Sequence, residues 1–129
     1  MKTNYKVAIA LVAGAAIGGA AIQGLHAQAK LPVYVVQEID VSNLESYVRE
    51  FIPKVRVLVN TFGGRSLTIG GGKVTSIEGE SPKSRVVILR WESMEKFQAW
   101  YNSAEYKELR KIADKSAKFR IFAVEGVPQ

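Results

Sequence analysis

The stretch Arg85-Val86-Val87-Ile88-Leu89-Arg90-Trp91 decides the fold, because it is the most apolar segment after the first 29 residues. It is rich in β-branched residues and follows the turn signal Gly79-Glu80-Ser81-Pro82, so it predicts a strand. Apolar residues at both alternating positions predict that this strand is central in a sheet. The other elements are expected to arrange themselves around residues 85–91.

A strand and a long helix are predicted before this segment. Residues 33–39 (VYVVQEI) predict the first strand. Ser42 with Glu45 three residues later is a capping-box signature, and it opens a helix with an apolar stripe at spacings of three and four. Gly63-Gly64 is expected to end this helix. Pro53 removes a hydrogen bond inside it and is expected to produce a kink or a short break.

The second strand is predicted at residues 65–69, with an interruption at Gly70-Gly71-Gly72 and a resumption over residues 73–78. The three glycines do not match a phosphate-binding loop, because Gly72-Lys73 is followed by Val74 and the first glycine of that motif is missing. A bulge or a tight turn is the favoured interpretation.

The segment after residue 91 predicts two helices and a last strand. Ser93 is expected to cap a short helix, and Ser103 a further helix from residue 104 to about residue 117. Residues 119–124 predict the final strand. The order βαββαβ predicts an α+β fold, a ferredoxin-like antiparallel sheet with its helices on one face.

The predicted strands carry apolar residues on both faces, although helices cover only one. The tail after Glu125 is too short to shield a four-stranded sheet. A two-fold homodimer that stacks the two open faces would remove both from water, and this is the expected partner.

The first 29 residues predict a secretory signal peptide. Lys2 and Lys6 precede an apolar run over residues 7–22, and Ala27-Gln28-Ala29 resembles a cleavage site. The run is shorter than the roughly 20 residues that a membrane-spanning helix needs. We therefore expect a mature single domain over residues 30–129 that is periplasmic or secreted and is not held in a membrane.

The mature domain excludes most familiar catalytic chemistry. The chain has no cysteine, and its one histidine, His26, lies in the predicted signal. No carboxylate spacing typical of a metal site is present, so no metal and no cofactor are expected. Residues 30–129 carry 16 basic and 12 acidic side chains, a net charge of +4, and these are interspersed. This pattern favours solvated surfaces over nucleic-acid binding.

Two groups of residues are candidates for a site. Trp100, Tyr101 and Tyr106 are expected to cluster where the last two helices meet, with Arg65 near them, and such a pocket would suit a small carboxylate or a phenolic compound. Glu38 and Arg90 interrupt apolar strands, where a charge is costly without a partner. A contact between them is possible if both point to one face, and Tyr34 completes this second polar group. Core packing and solvent exposure are the alternative interpretations.

The chain resembles the bacterial family known as domain of unknown function 1330, a branch of the dimeric α+β barrel superfamily, over almost all of the mature domain. The resemblance rests on these motifs: Tyr34 with its strand, Phe62-Gly63-Gly64-Arg65-Ser66-Leu67, Ile77-Glu78-Gly79-Glu80, Arg85-Val86-Val87-Ile88-Leu89, Ser93-Met94, Ala99-Trp100-Tyr101-Asn102-Ser103, Glu105-Tyr106 and Val124-Glu125-Gly126. Trp91 departs from the usual Phe, and Ala104 from the usual Pro. The resemblance implies the fold and a dimer, and no established activity.

Two functions are therefore expected from the sequence. The first is an exported homodimer that binds a small anionic or aromatic ligand. The alternative is a cofactor-independent oxygenase-like or isomerase-like enzyme, because relatives in the superfamily use the pocket between helices and sheet. Such enzymes commonly rely on a histidine, which the mature chain lacks, so whether it is an enzyme is left open.

Overall fold

Four strands form one antiparallel sheet in the order β2-β3-β1-β4. The computed structural model describes residues 31–82 and 85–129, and the predicted signal peptide lies outside them. The strands and helices have these bounds: β1 Val33–Val41, α1 Leu44–Ser46, a π-helical turn Tyr47–Phe51, α2 Ile52–Thr61, β2 Arg65–Ser66, β3 Arg85–Trp91, α3 Met94–Tyr101, α4 Ala104–Ala113 and β4 Ala117–Glu125. The predicted βαββαβ order and the α+β class are confirmed.

The central position of β3 is also confirmed. It pairs with β1 over seven residues, from Val33 opposite Trp91 to Ile39 opposite Arg85. β1 pairs with β4 on its other side. The sheet is thus built around β1 and β3.

The first helix begins one residue later than the capping box predicts. Asn43 is the N-cap, and its side-chain oxygen accepts a hydrogen bond from the backbone N–H of Ser46. The Ser42 hydroxyl donates instead to the carbonyl of Ser116, at 3.1 Å. Because Ser42 joins the start of this helix to the start of β4, it is no longer free to cap.

The helical interruption expected at Pro53 is a π-helical turn just before it. The backbone N–H of Ile52 bonds to the carbonyl of Tyr47, five residues back, and Pro53 lies in the first turn of α2. A proline is tolerated in a first turn, because its missing N–H would have no helical partner there. The wider turn keeps Tyr47 and Phe51 buried against the sheet.

The second strand is much shorter than predicted. β2 spans Arg65–Ser66, and residues 73–78 form no strand, so that part of the prediction was wrong. Beyond β2 the Thr68 hydroxyl oxygen accepts a hydrogen bond from the backbone N–H of Ile88 at 3.1 Å. This side-chain bond stands where a backbone carbonyl would continue the ladder between β2 and β3. Gly71 then adopts a φ of +76°, which turns the chain away from β3.

The last two helices start at the predicted serines. Ser93 and Ser103 accept hydrogen bonds from the backbone N–H groups of Lys96 and Tyr106. The final helix ends at Ala113, four residues earlier than expected, because Ser116 closes a turn onto the Ala113 carbonyl. β4 begins at Ala117 as a result.

Alternation along the strands gives the sheet two different faces. Odd-numbered residues of β1, β3 and β4 face the helices and form the core, in which Val35, Trp91 and Trp100 are fully buried. Even-numbered residues form the helix-free surface, which we term the open face. No helix within residues 31–82 and 85–129 is long and apolar enough to cross a membrane.

Candidate functional site

A cavity of about 120 Å³ lies between the helices and the sheet. Its walls come from β1, the π-helical turn, α2, β3 and the last two helices. They are lined by Gln37, Ile39, Tyr47, Phe51, Ile52, Val55, Arg56, Val59, Asn60, Ser66, Gly70, Arg85, Val87, Leu89, Trp100 and Tyr106. Apolar and aromatic walls with a few converging polar groups are typical of a small-molecule site.

Arg85 is the charged residue that the sheet contributes to the cavity lining. It begins β3 on the helix-facing side, in alternation with Val87 and Leu89. Its Nε atom is buried and has no hydrogen-bond partner among the described residues. Its guanidinium carbon lies 5.4 Å from the centre of the Tyr47 ring. The glycine turn approaches it closely, since a Cβ at Gly71 would lie 3.1 Å from Nη2.

Trp100 supplies a second donor without an acceptor. Its side chain is 1% exposed, and its indole N–H has no partner in the described part of the chain. The ring is fixed by aromatic neighbours, with its centroid 4.0 Å from that of Tyr106 and 5.3 Å from that of Trp91. An indole nitrogen only donates. A ligand in this cavity that carries an acceptor can satisfy it, whereas Trp91, whose indole N–H is also buried without a partner, does not line the cavity.

Gln37 and Tyr47 add neutral polar groups. Gln37 is 6% exposed, although it lies between the apolar Val35 and Ile39 on the same face of β1. Burial raises the pKa of Tyr47 from 10.0 to about 12, against the opposing effect of the Arg85 charge. The phenol is thus protonated at neutral pH. It can donate or accept a hydrogen bond, but it cannot act there as a phenolate base.

The charge in the cavity walls is of one sign. Arg56 and Arg85 are its charged residues, and none of the lining residues is Asp or Glu. Within residues 31–82 and 85–129 no group of three His, Cys, Asp or Glu side chains could hold a metal ion. The cavity thus offers donors and positive charge to a ligand.

The structure brings together the three aromatic rings predicted to cluster, but only two of them line the cavity. Trp100 and Tyr106 line the cavity, as proposed. Tyr101 lies outside the cavity lining and is 38% exposed, with its ring 5.6 Å from that of Tyr106. Arg65, the predicted guanidinium, lies opposite Arg90 on the open face. The arginines that line the cavity are Arg56 and Arg85.

The second predicted group, Tyr34, Glu38 and Arg90, lies on the open face. Arg90 is opposite Tyr34, whereas Glu38 is opposite Val86, further along the strands. The carboxylate of Glu38 forms an ion pair with Arg120 on β4. The proposed contact between Glu38 and Arg90 is therefore not formed, because register alone separates them although they share a face.

Three polar residues of the cavity were missed from the sequence: Gln37, Tyr47 and Arg85. Two of them could have been found by strand alternation. Gln37 follows Val33 and Val35 at a spacing of two, and Arg85 precedes Val87, Leu89 and Trp91 at the same spacing. A polar residue in phase with a buried apolar face is a candidate for a cavity. Tyr47 matched the apolar stripe and gave no such signal.

A wider depression of about 490 Å³ lies beside the end of the sheet that carries Glu38 and Arg120. Its lining includes Asp40, Lys118 and residues 80–82, and it opens broadly to solvent. The Glu38 carboxylate there is already paired with Arg120. The smaller cavity is the better candidate, because its buried donors are unpaired.

The raised pKa of Tyr47 predicts a loss of stability at alkaline pH. The folded protein holds this proton up to about pH 12, whereas the unfolded chain releases it near 10.0. The folded state binds more protons in that interval, so the free energy of unfolding falls as pH rises from 10 to 12, by about 2 kcal/mol. Urea unfolding at pH 9 and pH 11.5 measures the fall.

Tyr47→Phe is the control for this pH dependence. Burial also raises the pKa of Tyr106, so a smaller alkaline fall should remain in the variant. Equal falls in the wild type and in Tyr47→Phe would show that Tyr47 is not the group responsible.

Comparison with solved structures places this architecture among known α+β proteins. A protein of unknown function from Rhodopseudomonas palustris is 14% identical, with a TM-score of 0.63 over 76% of this chain and 84% of that one. A Bacteroides thetaiotaomicron protein described as a possible oxidoreductase is 10% identical, with a TM-score of 0.50 over 76% and 100%. SnoaB, a cofactor-independent oxygenase from Streptomyces nogalater, is 12% identical, with a TM-score of 0.48 over 77% and 96%.

The fold is α+β, a ferredoxin-like four-stranded antiparallel sheet with helices on one face. The sequence is more specific, because residues 32–127 match the model of a family described as Domain of unknown function (DUF1330). The chain belongs to this family, as its motifs predicted. No curated protein matches it.

Proposed function

We propose that the protein binds a small organic molecule in the cavity between its helices and its sheet. The observation that carries this proposal is the pair of buried donors, Arg85 Nε and Trp100 Nε1, that have no acceptor among the described residues. A buried donor without a partner costs about 1–3 kcal/mol. A ligand that accepts from both would remove this cost, and the aromatic walls would bury its apolar part.

The size of the cavity limits the ligand. Its volume is about 120 Å³. An apolar protein cavity of about 150 Å³ holds one benzene molecule. The ligand body is therefore no larger than about a single six-membered ring, or it is a short aliphatic chain.

Filling the cavity should abolish ligand retention. Val55 lines the cavity, whereas Val57 on the same helix is 66% exposed. We expect Val55→Phe to reduce the fraction of protein with bound ligand at least 10-fold, because the added ring occupies the space. Val57→Phe is the matched control and should retain the wild-type fraction. Native mass spectrometry of gently purified protein measures both, and equal retention in the two variants would contradict the site.

We propose further that the protein is a homodimer through its open face. The register places Val36 between Ile88 and Phe122, with Val86 and Val124 beside this row. None of these side chains belongs to the core, and Phe122 is 41% exposed. A second copy presents the same apolar row, so a two-fold pairing removes both rows from water.

Export is the third part of the proposal. It is supported by the signal-like first 29 residues and by the family match, which starts at residue 32. Cleavage after Ala29 would give a mature protein that begins at Lys30 and is periplasmic or secreted. The intact mass of protein recovered outside the cytoplasm tests this.

Binding is proposed ahead of catalysis because of the groups in the cavity. Its lining residues include no carboxylate or imidazole. Tyr47 is protonated at neutral pH because burial raises its pKa to about 12. A general base poised near neutral pH, on which proton-transfer catalysis depends, is thus not provided by these residues.

A further inference from the structure

We infer that the ligand of this cavity is a small monocarboxylic acid, bound as its carboxylate by Arg85 and Trp100. The inference rests on the proposed function and deepens it by assigning the chemical class of the ligand. It follows from the charge of the cavity, from the chemistry of its donors and from its size.

The Arg85 guanidinium lacks a counter-charge. All twelve Asp and Glu side chains of the chain lie within the described residues. None of them forms an ion pair with Arg85; those that are paired face Arg49, Lys96, Arg110, Lys111 and Arg120. A partly buried cation without a partner is costly. An anionic ligand would supply the missing charge.

The donors match a carboxylate. A guanidinium binds a planar carboxylate through two parallel N–H groups, and Nε is one of the donors available for this. The Trp100 indole N–H can donate to a carboxylate lone pair that the guanidinium leaves free. Tyr47, whose hydroxyl is a third possible donor, also lines the cavity. Each of these three groups can donate a hydrogen bond, and the oxygens of an ionised carboxylate can only accept one.

A monocarboxylate fits better than a phosphate. The other cationic residue that lines the cavity is Arg56, which is exposed on α2. One partly buried guanidinium balances one negative charge, whereas a doubly charged phosphate would retain an unbalanced charge in apolar surroundings. A volume of about 120 Å³ admits an acid with about one ring.

The test is a binding series by calorimetry with the full chain. The probes are acetate, butyrate, cyclohexanecarboxylate and benzoate, each with its neutral amide, and inorganic phosphate. We expect at least one carboxylate to bind the wild type at least 10-fold more tightly than its amide, because hydrogen bonds to a charged group are the stronger ones. The same carboxylate should bind more tightly than phosphate.

Two variants assign the preference to Arg85. Arg85→Gln should weaken carboxylate binding about 10- to 100-fold and change amide binding less than 3-fold. Arg49→Gln removes an exposed arginine from the first helical region and should change neither affinity. Circular dichroism confirms that both variants are folded. If Arg85→Gln does not fold, wild-type binding is measured against pH, and carboxylate affinity should fall as the ligand itself becomes protonated, while amide affinity stays constant.

The outcomes separate this inference from the proposed function. Three results would overturn the carboxylate assignment and leave cavity binding intact. They are amides that bind as tightly as carboxylates, phosphate that binds more tightly than the carboxylates, and a preference for carboxylate over amide that persists in Arg85→Gln. If no probe binds at millimolar concentration and Val55→Phe and Val57→Phe retain equal ligand, both the assignment and the proposed site are wrong.

Discussion

Ile88→Asp is expected to convert the proposed homodimer into a folded monomer. Ile88 lies opposite Val36 at the centre of the open face. Two-fold symmetry would bury two new carboxylates in one apolar interface, and each unpaired buried charge costs several kcal/mol. At 1.4 kcal/mol per factor of ten, the dimer dissociation constant should rise at least about 100-fold. Sedimentation velocity over a concentration series measures this rise.

Ile77→Asp is the matched control for the dimer. Ile77 lies in the loop before β3 and is 91% exposed, so the same substitution there should leave the sedimentation coefficient unchanged. Phe122→Asp on β4 should reproduce the effect of Ile88→Asp, because Phe122 lies in the same row of the open face. A wild-type protein that sediments as a monomer at all concentrations would refute the proposed interface.

Gly64→Ala is expected to destabilise the fold strongly through Trp91. A Cβ at position 64 would lie 2.6 Å from Cη2 of Trp91 and 2.8 Å from Cγ1 of Val59. Both neighbours are buried, so neither can move away freely. Overpacking of this kind typically costs 1–3 kcal/mol, and we expect a loss of about 3 kcal/mol in the free energy of unfolding. Urea denaturation measures it.

A double-mutant cycle identifies Trp91 as the cause. Trp91→Phe removes the atoms that a Cβ at position 64 would meet, and by itself should cost about 2 kcal/mol. The double variant should therefore lose at least about 1 kcal/mol less than the sum of the two single losses. The control is Gly63→Ala, which has a φ of +92° but places its Cβ 4.0 Å from Lys96. Its loss should add to that of Trp91→Phe, and additivity for Gly64→Ala as well would contradict the packing account.

Much of the fold could be predicted because apolar residues alternate along the strands and because turn and capping residues mark the ends of strands and helices. β3 has the predicted bounds because seven apolar-rich residues carry enough buried surface to fix both position and register. Ser93 and Ser103 were correct as caps because capping is local, and each serine bonds to a backbone N–H three residues later. Such features depend on neighbours in the sequence.

The errors arose where distant residues decide the structure. The sequence predicts Ser42 as a capping residue, but its hydroxyl donates to the carbonyl of Ser116, which is 74 positions away. The prediction for residues 73–78 failed because the Thr68 side chain replaces the next ladder bond and the glycine turn redirects the chain. Tertiary hydrogen bonds of this kind leave no periodic signal.

The candidate site was predicted in part for the same reason. Trp100 and Tyr106 were found because helical spacing places each of them on the inward face of its own helix. Arg65 was predicted to lie near these aromatic residues and Arg85 was not considered, although strand alternation puts Arg65 on the open face. The register of the paired strands decides which arginine side chain faces the cavity. This register depends on the pairing of all four strands.

The most direct test of the cavity as a ligand site is a ¹⁵N–¹H correlation spectrum of the full chain titrated with the carboxylate that binds most tightly. The chain has two tryptophans, so Trp91→Phe assigns the indole signals. We predict that the signals of Trp100 Nε1–H and Arg85 Nε–H shift to saturation together, while that of Trp91 moves little. Saturable binding that leaves both cavity signals unmoved would contradict the account.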